Sequence, residues 1–154
     1  MVLRYLERIA TLGRMRPTVP IGNPPITPEW LGIWFKPMGD EPSLERLEVV
    51  TREGLAPWHI VSQDAGVDPM KLARELKVAQ AERGGEKFVY VFVPGRVFDA
   101  FGTRHGRGGG WYDRFLAALP ASWLKIGVCS SLQWSEVELE RKAWDVSMDW
   151  IIRT

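Results

Sequence analysis

Five of the nine residues from Gly102 to Gly110 are glycine (Gly102, Gly106, Gly108, Gly109 and Gly110), and Arg104 and Arg107 are set among them. Glycine lets the backbone enter left-handed conformations and approach a ligand closely, so successive N–H groups can converge on phosphate oxygens. The helical pattern that starts at Trp111 would bring the positive end of its peptide dipoles to the same place. A guanidinium fork can grip two phosphate oxygens at once. These residue types describe an anion site; the competing reading of a glycine run is a loop that only faces solvent. The two arginines, and Asp113 in the first turn of the following helix, favour the site. Two common nucleotide fingerprints are excluded, because the loop begins well past the preceding strand and no Gly-Lys-Ser/Thr closes it.

The neighbouring segments read as the elements that hold this loop. Phe88 to Val93 is a continuous apolar strand, Leu124 to Cys129 a second, and Trp150-Ile151-Ile152 a last one. Between them, Trp111 to Leu119 reads as a helix that Pro120 ends, and Ser135 with Glu138 forms a capping box for a helix through Lys142. Strands alternating with helices imply right-handed crossovers, and therefore an α/β fold with a mostly parallel sheet and flanking helices. Upstream, Asp68 followed by Pro69 starts a helix in which Leu72, Leu76 and Ala79 recur as far as Gly84-Gly85. The runs 31–35 and 47–50, separated by Gly39-Asp40-Glu41-Pro42, read as a hairpin. Val2, Leu6, Ile9 and Leu12 share one helical face, and Pro17, Pro20, Pro24, Pro25 and Pro28 make the next segment an ordered loop or linker.

Composition bounds the function. A chain of 154 residues that is 45% apolar fits one domain, 1–154, with a real core. Its net charge of +1 argues against a protein that coats nucleic acid, so any anion site must be local. No apolar stretch approaches a membrane span and the first residues do not read as a leader, so a soluble cytoplasmic protein is expected. The single Cys129 lies inside an apolar run and reads as a buried small hydrophobe.

The order and spacing of Val93-Pro94-Gly95, Phe98-Asp99 and Gly102-Thr103-Arg104-His105-Gly106-Arg107-Gly108-Gly109-Gly110-Trp111-Tyr112-Asp113-Arg114-Phe115-Leu116 resemble the signature of the 5-formyltetrahydrofolate cyclo-ligase (methenyltetrahydrofolate synthetase) family. Ile126-Gly127-Val128, Gln133, Trp144-Asp145-Val146 and Asp149-Trp150-Ile151-Ile152 resemble its C-terminal end, so the likeness covers about Phe88 to Thr154. The resemblance implies a fold like that of the glucosamine-phosphate isomerase and coenzyme-A transferase group. It also implies a folate substrate, with ATP and Mg²⁺ as cofactors. ATP would be bound by Gly102, Arg104, Gly106, Arg107, Gly108, Gly109, Gly110, Trp111 and Tyr112, with Arg104 also catalytic, and Mg²⁺ by Asp113 and Asp145.

The implied reaction is ATP-dependent closure of 5-formyltetrahydrofolate to 5,10-methenyltetrahydrofolate through phosphoryl activation of the formyl oxygen. The alternative is a non-catalytic nucleotide- or anion-binding homologue, since the family's basic and acidic positions in the first half are unmatched; Arg4, Arg8 and Glu41 are stand-ins there by type only. A third reading, an RNA-associated module, is disfavoured by the near-zero charge. Within the matched part, His105 stands where the family usually has an aliphatic residue and Trp111 where it has tyrosine; the expectation for His105 is a ring facing solvent. Of eight tryptophans, Trp111 adjoins the loop most closely and is the candidate to face a pterin.

Overall fold

A computed structural model describes residues 16–24, 30–35, 57–61, 67–82 and 88–154. Its centre is a five-stranded sheet in the order 57–61, 30–35, 88–93, 124–129 and 150–153, every neighbouring pair parallel. The strands are β1 (Trp30–Phe35), β2 (Pro57–Val61), β3 (Phe88–Val93), β6 (Leu124–Cys129) and β7 (Trp150–Arg153). A two-stranded antiparallel ribbon, β4 (Val97–Phe98) with β5 (Arg104–His105), rises between β3 and the following helix. The helices are α1 (Pro69–Glu82) and α2 (Trp111–Ala117), which pack against each other.

Local chemistry explains these elements. β3 and β6 are buried from their second residue onward, as a parallel sheet covered on both faces requires. In α1 the buried Pro69, Leu72, Ala73, Leu76 and Gln80 form one stripe, and Asp68 Oδ2 caps the start by accepting the Lys71 amide at 3.0 Å. α2 buries Tyr112, Phe115 and Leu116. Phe35, the last residue of β1, meets the Tyr112 and Phe115 rings edge-on at 4.9 and 5.4 Å, so α2 begins beside the carboxyl end of the sheet. In an open α/β sheet of this order, ligands bind at that end, where the strand order reverses.

The α/β architecture, the strands at 88–93, 124–129 and 150–153 and the helix after Asp68 stand as the sequence implies. Three expectations change. The segment 135–142 is not helical: Ser135 Oγ accepts the Val137 amide at 3.2 Å in a local turn, and the Leu139 amide binds Asp99 Oδ2 at 2.8 Å instead of a carbonyl one turn back. The capping box lies earlier, at Ser130 and Gln133, and opens a single 3₁₀ turn. The hairpin of 31–35 with 47–50 fails because β2 and β3, both parallel, occupy both edges of β1. The run 47–50 itself, the acidic stretch 39–42, the expected helix at 2–12 with Arg4 and Arg8, and Glu41 lie outside the described residues. Of the proline-rich segment, residues 16–24 are an ordered irregular strap, and Ile21 bridges Ile151 on the outer edge of β7. Among the described residues no helix is long and apolar enough to cross a membrane.

Candidate functional site at the glycine loop

The site starts where β3 ends. Arg96 N donates to His105 O at 2.8 Å and opens the β4–β5 ribbon, whose tip is built on Asp99. That carboxylate is 1% exposed. Its Oδ1 accepts the amides of Phe101 (2.9 Å) and Thr103 (3.0 Å), and its Oδ2 that of Leu139. Gly102 completes the tip at φ +82°, and a Cβ there would lie 2.5 Å from the Met148 carbonyl oxygen. Both the conformation and the contact exclude a side chain. The ribbon is fastened to the rest of the fold by Gln133, whose Nε2 donates to Gly95 O at 3.0 Å, and by Phe98, whose ring sits where a Cβ on Gly127 would come within 2.6 Å. Arg141 holds the same tip from the other side, donating to Thr103 Oγ1 (2.8 Å from Nη2) and to Phe101 O (2.9 Å). Its pKa is lowered, first by burial and then by Arg16, against the opposing pull of Asp99, Glu138 and Asp145.

From this base the chain runs through residues 106–110 into α2 and forms one wall of a cleft of about 490 Å³. Glu140, Lys142, Trp144 and Asp145 line the cleft from the C-terminal segment. Two carboxylates shape that second wall. Asp145 Oδ2 accepts the Lys142 amide at 2.8 Å and closes a tight turn, and Asp113 Oδ1 accepts the amide of Val146 at 3.1 Å. Asp113 is thus bound to the residue directly after Asp145, and the fold unites two groups that the sequence separates. Around Gly108 and Gly109 a Cβ would meet nothing within 4 Å, so this stretch of backbone faces open space.

All the site residues expected from the sequence except Gly102 line the cleft; Gly102 lies beneath it in the ribbon tip. Arg104 is half-buried: its Nε donates to Pro94 O at 2.5 Å, and its guanidinium carbon stands 4.3 Å from the centre of the Tyr112 ring. A Cβ on Gly106 would lie 2.7 Å from Arg104 Nη2, so glycine here makes room for the arginine. Arg107 is exposed beside the open glycines. Trp111 stacks on Phe115 at 5.3 Å and donates its indole N–H to Val67 O at 2.9 Å, so both its ring and its polar atom take part in packing. His105 does not simply face solvent. Its Nε2 lies 2.6 Å from Glu140 O, a contact made when Nε2 carries the proton, and it joins the two walls.

Sequence reasoning missed Glu140, Lys142 and Trp144 as parts of the site, because they lie on an irregular segment with no periodicity to place them. Asp99 and Arg141 were missed as supports. The available signal was the buried acid in a turn beside an essential glycine.

The arrangement can hold a phosphorylated ligand and a divalent cation. Mg²⁺ takes one or two carboxylates together with phosphate oxygens and water, and Asp113 and Asp145 are two carboxylates on the lining of this cleft. Among the described residues no cluster of three or more histidine, cysteine or acidic side chains forms a complete protein cage for a metal. The backbone at Gly108 and Gly109 is open, and Arg104, Arg107 and Lys142 bring positive charge to the cleft walls, a chemistry suited to phosphate oxygens.

Comparison with known proteins gives a consistent picture. The model of the 5-formyltetrahydrofolate cyclo-ligase family matches residues 50–154. A 5-formyltetrahydrofolate cyclo-ligase from Mycoplasma genitalium is 36% identical over 61 residues, which are 40% of this chain and 36% of that protein. The match therefore spans little more than a third of the relative's length. A solved structure of a 5,10-methenyltetrahydrofolate synthetase from Mycoplasma pneumoniae is similar in fold, with a TM-score of 0.50 at 18% identity, over 95% of this chain and 79% of that one.

Proposed function

Since the chain belongs to the 5-formyltetrahydrofolate cyclo-ligase family, we propose that it is an enzyme that converts 5-formyltetrahydrofolate to 5,10-methenyltetrahydrofolate with ATP and Mg²⁺. The observation that carries this reading is that the glycine loop and two carboxylates from distant parts of the chain line one cleft, with Asp113 bound to the amide after Asp145. Asp113 and Asp145 would hold Mg²⁺. The amides of 106–110, with Arg104 and Arg107, would hold phosphate oxygens.

Mg-ATP would supply the γ-phosphoryl group for the formyl oxygen of the folate with release of ADP, and the neighbouring amine would then close the ring with loss of phosphate and of its proton. The protein's own part is positioning and charge neutralisation. Tyr112 and the Pro94 carbonyl fix Arg104, so its charge is held in place before the ligand arrives. Asp99, Arg141 and Gln133 tie the ribbon beneath the loop to the rest of the fold, which gives the amides of 106–110 a braced base.

The decisive experiment follows the absorbance of methenyltetrahydrofolate with and without ATP, beside a melting curve in Mg-ATP. The expected result is ATP-dependent product together with a melting temperature raised by several degrees, since ligand at about 100 times its dissociation constant contributes about 2.7 kcal/mol. Stabilisation without product would make the chain a nucleotide-binding homologue. Neither effect would refute both.

A further inference from the structure

Of the five tryptophans whose side chains are described, Trp144 alone is mostly exposed, at 65%. Trp123 is buried, and Trp111, Trp134 and Trp150 are partly so. An indole left in water forgoes a large apolar burial, and one on the wall of a ligand cleft is placed to recover it against a planar ring. Its backbone is held on both sides. The Asp145 amide donates to Lys142 O at 3.1 Å while the Lys142 amide donates to Asp145 Oδ2, and the Val146 amide is taken by Asp113. A tryptophan on a turn so clamped loses little freedom when a ring stacks on it. The Lys142 ammonium stands 5.4 Å from the ring centre, and because Lys142 is also exposed, an incoming ring can displace it.

From this placement we infer that Trp144 is a stacking platform for the pteridine ring of the folate, an inference that rests on the function proposed above. Two planar rings would enter the cleft, a purine and a pteridine, and position distinguishes them. Trp144 directly precedes Asp145, one of the two carboxylates assigned to the metal. The purine of a nucleotide is separated from its terminal phosphate by a sugar and two further phosphates. The pteridine carries the oxygen that must lie within about 3.5 Å of the transferred phosphorus for reaction. A ring beside the metal carboxylates is therefore the acceptor's ring.

The test measures equilibrium binding without turnover, by calorimetry, on the wild type, Trp144→Ala and Trp144→Phe. Each protein is titrated with 5-formyltetrahydrofolate alone and separately with Mg²⁺ and a non-hydrolysable ATP analogue, and circular dichroism checks that each is folded. Because the ring is exposed, both variants should melt close to the wild type. Trp144→Ala should weaken folate binding about ten-fold, the factor that 1.4 kcal/mol of stacking represents, and Trp144→Phe should restore most of it. The affinity for the nucleotide analogue should change less than about two-fold, within the small cost of removing an exposed side chain. A loss confined to the nucleotide would overturn the proposal by assigning Trp144 to the purine. Unchanged folate affinity in Trp144→Ala would overturn it while leaving the function reading intact. A wild type that binds neither probe would overturn both.

Discussion

Asp99 is the group on which the ribbon beneath the cleft turns, and the cost of losing it follows from its three bonds. At 1% exposure its two oxygens accept the amides of Phe101, Thr103 and Leu139, so Asp99→Ala leaves three backbone donors without their acceptor. The Thr103 bond is fully buried, and its donor should cost about 2 kcal/mol when orphaned; the other two are reached in part by water and should cost about 1 kcal/mol each. The expected loss is therefore about 4 kcal/mol, which for a chain of this length lowers the melting temperature by about 8 to 16 °C. Asp99→Asn keeps shape and one acceptor oxygen. Its carbonyl can serve Phe101 and Thr103, but its amide nitrogen then meets the Leu139 N–H donor to donor, so about 1 to 2 kcal/mol should be lost. Urea unfolding of both variants measures this directly. Asp99→Ala as stable as the wild type would refute the account, and Asp99→Asn as damaging as Asp99→Ala would show that charge, not the number of acceptors, is what matters.

Gly102→Ala should destabilise strongly, because glycine there is at φ +82° with the Met148 carbonyl in the way, whereas Gly109→Ala should leave the melting temperature within about 2 °C and weaken Mg-ATP binding several-fold. Thermal melts and calorimetric titration of the pair separate fold from cradle. Asp113→Asn and Asp145→Asn each retain a carbonyl for the amides they accept, so both should fold, yet each should lessen the Mg²⁺ dependence of ATP binding; because they would share one ion, the double variant should lose less than the sum of the two. Burial lifts Cys129 from 9.0 to about 11, against the opposing pull of Arg153, and lifts Tyr90 from 10.0 to about 12. The folded protein then keeps protons that the unfolded chain releases, so this stability is fully present below about pH 9 and is lost as pH rises through about 11 and 12. Urea unfolding across that range should show the decline, and Cys129→Ala should flatten its lower half.

The strands and helix that the sequence displayed are those whose side chains report burial directly. Phe88 to Val93 and Leu124 to Cys129 are continuous apolar runs because both faces of the sheet are covered there, and α1 carries a cap and a stripe. β2 was invisible: five residues that begin with Pro57 and include His59 have no period to detect, and proline is admissible as the first residue of a strand. The false helix after Ser135 shows the opposite limit. A capping-box spacing is local, whereas the partner that claims the Leu139 amide lies 40 positions away. The glycine loop could be read because its composition is itself the chemistry. The metal role of Asp113 and Asp145 was implied by resemblance alone, and the bond that brings their segments together runs from Asp113 to Val146, a contact 33 positions long.

The strap along β7 has a consequence for how the chain becomes folded. Pro20 O accepts the Ile151 amide at 3.0 Å, Gly22 N donates to Ile151 O at 2.9 Å, and Trp150 Nε1 reaches Gly22 O across 128 positions of sequence. The outer edge of the sheet is thus closed by contacts of very large sequence separation, and the entropy of so long a loop must be met before those bonds stabilise anything. During synthesis residues 20–22 have no partner until β7 has been made, and the edge of β6 that β7 will cover stays open for the same interval. Closure of this edge is therefore expected late in folding. The same β7 leads back to the turn that carries Asp145, so binding competence should appear with the last phase of refolding and after most of the secondary structure has formed.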